Sequence, residues 1–276
     1  MITFAEFQKN YTNCRLLNRG GQKQVFSARH PSYGDVVIKL YFKADIRAER
    51  EVTIGSKTII LEVPCVYETQ TLLYEGTPTL CVVERKIEGM SLREKLQKEQ
   101  KLSVSQSIYL LEKGLIFIQK LEEKQIIHRD IKPENIIWGD DGKIYFIDFG
   151  IARFLNLSSI TATKANIGPH TPGYAAPEQF NNLKRYITSR ADIFSLGVVV
   201  YECLSGRNPF CTSNNPNEIL QNVLHLYPEP LHILGEENQE LSSFILSMIQ
   251  KQPSQRPRNA TQALHWLQTI KTEIKI

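Results

Sequence analysis

The apolar residues of this chain change their spacing once, near residue 91, and that change limits the folds open to it. Before it, QVFSARH, DVVIKLYF, TQTLLYE and TLCVVERK are short runs of β-branched and aromatic residues separated by Gly, Pro and Asp, the pattern of strands joined by turns. One helical segment, ADIRAEREVTIGSKT, interrupts them. After it, SLREKLQKEQ and SVSQSIYLLEKGLIFIQKLEEKQ carry helical spacing; Ile108, Leu111, Leu115 and Ile118 fall on one face, and Ser103 with Gln106 makes a capping box. Strands followed by helices predict an α+β protein, with an antiparallel sheet and one main helix over residues 1–84 and a mostly helical part over 85–276. The junction VVERKIEGMS has no Pro- or Ser-rich linker, so two lobes sharing a cleft are expected rather than independent domains.

Composition excludes several classes. A 276-residue chain with 42% hydrophobic and 22% charged residues is globular and soluble. Its net charge of +4 is mild, and Lys and Arg are interspersed with Asp and Glu, so no nucleic-acid surface is implied. Cys14, Cys65, Cys81, Cys203 and Cys211 show no CxxC spacing, which argues against a zinc site or a disulfide framework and for reduced thiols in the cytoplasm. The longest apolar runs, such as GVVVY, fall far short of the ~20 residues that span a bilayer. MITFAEFQKN lacks a signal-peptide pattern, so the mature chain is expected to start at Met1 with no membrane segment.

The stretch that carries chemistry is IIHRDIKPENIIW, Ile126 to Trp138, which follows the long helix and leads through a DDGK turn into KIYFIDFG. It contains His-Arg-Asp-x-Lys-Pro-x-Asn, and the chain here resembles the eukaryotic-like protein kinase family. Further motifs follow in the family's order from about Leu16 to about Trp266, and TPGYAAPEQF has the look of the bacterial Ser/Thr members. The resemblance implies a bilobal kinase fold and transfer of the ATP γ-phosphate, with Mg²⁺ or Mn²⁺, to Ser/Thr hydroxyls of protein substrates. An ATP-binding pseudokinase or scaffold is the alternative, and a small-molecule phosphotransferase the more distant one.

By resemblance, Asp130 accepts the proton of the substrate hydroxyl, Lys132 places an ammonium near the transferring phosphate, and Asn135 brings its amide oxygen to a metal ion. Asp148 of DFG, eighteen residues after Asp130, is the second metal ligand. Lys39 of VVIK would grip the α- and β-phosphates, held by a helix carboxylate: Glu51, or Glu49 as its alternative, since residues two apart face different sides of a helix. Thr171 matches the threonine that bonds the catalytic Asp and Lys, Glu178 would pair with Arg256, and Asp192 would hold the catalytic-loop backbone. Arg129 is the expected partner of an activation-loop phosphate, with Ser158, Ser159, Thr161 and Thr163 as candidate autophosphorylation sites, a reaction that self-association would serve.

Two stretches depart from the family. In LNRGGQKQVF, counting back from Val25 puts the three glycine positions of the phosphate loop on Asn18, Gly20 and Lys23, so only the central glycine remains, with Gly21 beside it. The amides of Gly20 and Gly21 are expected to approach phosphate oxygens, and the Lys23 ammonium to supply charge where a close backbone contact is lost. Val37 stands where the family carries Ala against the adenine. Counting along LCVVERK makes Val83 the gatekeeper and the backbone of Glu84 to Lys86 the adenine partner, whereas counting back from EGMSL shifts this register by one.

Overall fold

The computed structural model describes residues 1–20, 23–42, 52–55, 60–149, 153–154, 171–180, 187–233 and 239–274. It divides into two compact units, Met1–Gly89 with Gly139–Gly150, and Met90–Trp138 with Ile151–Ile276. The first therefore extends past residue 84 and takes in a later return of the chain.

The first unit is built on a five-stranded sheet in the order β1-β2-β3-β5-β4, from β1 (Thr12–Arg19), β2 (Lys23–His30), β3 (Gly34–Tyr41), β4 (Val66–Tyr74) and β5 (Thr77–Arg85). Its four pairings are antiparallel. Gly34 at φ 73° ends the β2–β3 connection, and Glu75 and Gly76, both at positive φ, form the two-residue loop between β4 and β5. Alternation along the strands gives the sheet two distinct faces. Val36, Ile38, Leu40, Cys81 and Val83 point to an outer core that they share with Phe4, Phe7 and Tyr11. Phe4 and Phe7 come from α1 (Phe4–Gln8), a one-turn helix that sequence reading missed; Thr3 caps it in a box with Glu6. The opposite face carries Lys23, Val25, Val37, Lys39, Val82 and Glu84, as the register Val25↔Lys39↔Val82 and Val37↔Glu84 requires.

In the second unit, α2 (Leu92–Glu99) and α3 (Val104–Glu123) start at capping boxes, Ser91 with Glu94 and Ser103 with Gln106. The expected stripe of α3, Ile108, Leu111, Leu115 and Ile118, is buried. The short strand β6 (Gly89–Ser91) precedes α2, and β7 (Ile126–Ile127) follows α3. Next come β8 (Ile136–Gly139), whose last residue is already in the first unit, β9 (Ile144–Phe146), which belongs to the first unit, and β10 (Arg153–Phe154) of the second, which pairs with β7. The helices α4 (Pro177–Phe180), α5 (Arg190–Ser205), α6 (Pro216–His225), α7 (Glu240–Met248) and α8 (Ala260–Ile274) complete the unit. α5 is buried on all sides, from Ala191 to Cys203: a Cβ added at Gly114 of α3 would fall 2.6 Å from Leu196, and one at Gly197 would fall 2.8 Å from Ile249. The five cysteines are free thiols, and burial pushes the Cys81 thiol up to about 12. No helix among the described residues is long and apolar enough to cross a membrane.

Candidate active site

Residues 128–135 run from β7 through a tight turn, Pro133–Asn135, into β8. Their backbone is pinned from two helices. Asp192 in the first turn of α5 accepts the amides of His128 and Arg129, each at 2.8 Å, and Gln179 of α4 donates to the Arg129 carbonyl at 3.0 Å. With these partners Arg129 holds φ at 71°, a region that few side chains occupy. Burial pushes the Asp192 carboxyl up to about 7, against the pull of the two amides.

The pinned loop presents a closed ring of polar groups. The Thr171 hydroxyl donates to Asp130 Oδ1 at 2.6 Å, Lys132 Nζ lies 2.8 Å from Asp130 Oδ2, and the same ammonium donates to Thr171 Oγ1 at 3.0 Å. Asn135 Nδ2 donates to both Asp130 Oδ2 and the Asp130 carbonyl, each at 2.9 Å. Both amide hydrogens of Asn135 are thus turned toward Asp130, which directs its Oδ1 the other way. Oδ2 of Asp130 meets two donors and Oδ1 only one, so Oδ1 keeps lone-pair capacity for a further proton.

The first unit holds its own constellation on the inner face of the sheet. Lys39 Nζ lies 2.7 Å from Glu84 Oε1, both side chains about 7% exposed. Lys23 Nζ lies 2.8 Å from Asp148 Oδ1 and 5.6 Å from the Tyr41 ring centre. Asp148 holds φ at 65°, and the side chain of the next residue, Phe149, is buried. Lys39, Glu84, Asp148 and Phe149 line one small cavity. Val25 and Val37 lie half-buried on the same sheet face.

Several expectations change. The Gly20 amide donates to the Lys23 carbonyl at 2.9 Å, closing the turn rather than standing open to a phosphate. Val83 packs in the core with Phe4 and Phe7, on the face away from Lys39, and it is Glu84 that shares the face of Lys39. The Lys86 amide donates to the Asp35 carbonyl at 3.2 Å, extending the β3–β5 ladder, and its ammonium pairs with Glu88. Glu49, Glu51, Gly21, Ser158, Ser159, Thr161 and Thr163 lie outside the described residues.

Two further networks brace the second unit. Arg256 makes a two-pronged pair with Glu178 at 2.7 and 2.9 Å. Arg93 joins Glu134, Glu202 and the Tyr174 hydroxyl. Arg93 and Gln179 carry no motif signal, because each acts through contacts distant in sequence.

The set is, in the second unit, a carboxylate held by lysine, amide and hydroxyl and, in the first, a strand lysine and a carboxylate lining one cavity. It is the equipment of phosphoryl transfer, which depends on placed charge more than on covalent groups. The family profile "Protein kinase domain" matches residues 11–267, and the chain belongs to the protein kinase family. The five-stranded antiparallel sheet and the helical C-terminal part are those of a kinase domain. It is 28% identical over 256 residues to a probable serine/threonine-protein kinase of Streptomyces coelicolor, covering 89% of this chain and 37% of that protein. Serine/threonine-protein kinases PknB of Mycolicibacterium smegmatis and Mycobacterium tuberculosis are also 28% identical, each match covering 95% of this chain and 43% of the relative. The chain thus spans about two fifths of the length of these bacterial relatives.

Proposed function

We propose that this chain is an ATP-dependent protein kinase that phosphorylates Ser and Thr hydroxyls of proteins in the cytoplasm, with Mg²⁺, or Mn²⁺ in its stead, as the metal. The observation that carries this reading is the ring of Asp130, Lys132, Asn135 and Thr171. Asp130 Oδ1 takes the proton of the attacking hydroxyl, and the carboxylate is held in orientation by its three partners. Lys132 contributes positive charge where the phosphoryl group passes. The names of the bacterial relatives support Ser/Thr as the acceptor class.

The donor set fits a metal-nucleotide complex. Asp148 and Lys39 face one cavity, an anionic oxygen ligand beside a cation for phosphate, and Val25 and Val37 offer an apolar surface to a base. Asn135 and Asp148 would hold the metal, and Lys39 the α- and β-phosphates. When bound, the divalent ion withdraws charge from the phosphoryl oxygens and lowers the barrier to their transfer. Lys23, paired with Asp148, would hold that carboxylate and add charge beside the phosphates. Glu51 remains the proposed helix partner of Lys39, and Arg129 the proposed receiver of a phosphate on Ser158, Ser159, Thr161 or Thr163.

The test is incubation with γ-labelled ATP, Mg²⁺ and casein or myelin basic protein, run beside Asp130→Asn. Label transfer that disappears in the variant is expected; equal transfer by both proteins would refute the assignment. Intact mass from the same incubation should show phosphate added to the kinase itself, and an unchanged mass in a preparation that labels casein would rule out autophosphorylation.

A further inference from the structure

We infer that Glu84 is a positioning residue for Lys39, anchoring its ammonium from within the sheet. The inference rests on the nucleotide-binding reading above and adds to it a role for a side chain.

The placement follows from strand parity. Lys39 of β3 stands opposite Val82 of β5, and Glu84 stands opposite Val37. Lys39 and Glu84 are therefore diagonal neighbours on one face of two directly bonded strands, a separation that long side chains bridge. They do so here, with Nζ 2.7 Å from Oε1. β3 is the middle strand of the five, and β5 is flanked by β3 and β4, so both ends of the pair ride on backbone fixed by ladders on each side. Whatever else Lys39 touches, this partner moves only with the sheet that carries the lysine.

Burial argues that the pair serves the site rather than the stability of the fold. Both side chains are about 7% exposed, and removing two charges from water costs as much as their attraction returns, so two apolar residues of the same volume would stabilise the sheet equally well. Apolar neighbours are abundant on these strands: Val82 beside Glu84 is fully buried, and Val37 lies across from it. A carboxylate kept in such surroundings, on the wall of the cavity that also receives Asp148, has the placement of a functional group. An ammonium has three N–H donors; directing one at Glu84 fixes the nitrogen and orients the others.

The Glu84 side chain thus acts on phosphates, through Lys39, and not on the base. Equilibrium binding of ATP, ADP and adenosine is therefore measured on the parent, Glu84→Gln, Lys39→Met and the double variant. Glu84→Gln keeps the shape and removes the charge. It should weaken ATP and ADP about tenfold, the loss of one charge-assisted contact, while adenosine affinity stays within about twofold. In the Lys39→Met background the same substitution should have no further effect on ATP. An equal loss for adenosine, an undiminished loss without Lys39, or unchanged or tighter ATP binding by Glu84→Gln would each overturn the inference while leaving the kinase reading intact. A parent protein that binds no nucleotide would overturn that reading and this inference with it. Should Glu84→Gln fail to fold, Glu84→Asp, one methylene shorter, carries the same comparison.

Discussion

Arg256→Lys keeps the charge of a buried cation and removes the shape of its hydrogen bonding. The Arg256 side chain is fully buried, and all five of its N–H groups are used. Nε donates to Gln250 O at 2.7 Å. Nη1 donates to Glu178 Oε1 at 2.7 Å and Arg190 O at 3.0 Å. Nη2 donates to Glu178 Oε2 at 2.9 Å and Lys251 O at 3.0 Å. Lysine brings three donors, so at least two of these five acceptors lose their partner. At about 1–3 kcal/mol for each buried group left unmet, the loss is about 2–6 kcal/mol. That is a large share of the 5–15 kcal/mol by which domains are ordinarily stable. Arg256→Met should cost at least about 3–5 kcal/mol, since it strands the Glu178 carboxylate in a site where only 9% of its side chain is exposed. Trp138 and Trp266 both belong to the helical unit, so tryptophan fluorescence in urea reports its unfolding. With a slope of about 2–3 kcal/mol per molar, the Arg256→Lys midpoint should fall by about 0.7–3 M. A midpoint within about 0.2 M of the parent at unchanged slope would refute the five-donor account, because the fork would then contribute nothing beyond a charge.

Thr171→Ala removes the hydroxyl that joins Asp130 to Lys132 and should lower kcat by about 10–100-fold, with Thr171→Ser restoring it; full activity in the alanine variant would exclude a role for the ring. Lys23→Ala frees the Asp148 carboxylate from its ammonium and should raise the KM for metal-ATP by about tenfold; an unchanged KM and kcat would remove Lys23 from the phosphate site. Asp192→Asn can satisfy only one of the amides of His128 and Arg129, and should lower both turnover and stability, the latter by about 1–3 kcal/mol; a thermal midpoint equal to the parent's would refute the pinning role. Because burial raises the Asp192 carboxyl from 3.8 to about 7, the folded state favours its protonated form. Its contribution is therefore full below about pH 4 and is lost as pH rises to about 7. The stability difference between parent and Asp192→Asn should shrink over that interval, and a difference that grows would invert the assignment.

What could be read from sequence divides along a physical line. Periodicity located the sheet and the helices, and the buried stripe of α3 matches its spacing, because a long helix must cover one face whatever its neighbours. α1 escaped notice because FAEF offers one turn of spacing, too little to separate a helix from an apolar strand; its two phenylalanines matter only through the outer sheet face they cover. Gln179 and Arg93 were invisible for another reason. Each satisfies a group distant in sequence, the Arg129 carbonyl in one case and the Glu134 and Glu202 carboxylates in the other, so no local pattern marks them. The turn at Gly20 has a backbone reason: a hairpin closed by its own hydrogen bond uses the amide that a phosphate would otherwise take.

The parity of β5 is set by its charges and not by its apolar residues. LCVV is apolar at every position, so alternation carries no parity, and counting from the two ends of the segment gave answers one residue apart. The charges break the tie. Lys39 lies within an apolar strand, and neither it nor Glu84 could be buried alone without a cost of several kcal/mol. If β3 and β5 are neighbours, as the strand order makes them, the two charges must share a face, which sends Val83 to the other. A buried opposite charge in each of two adjoining strands thus fixes the parity of both, and here it places a carboxylate beside the lysine of the nucleotide face.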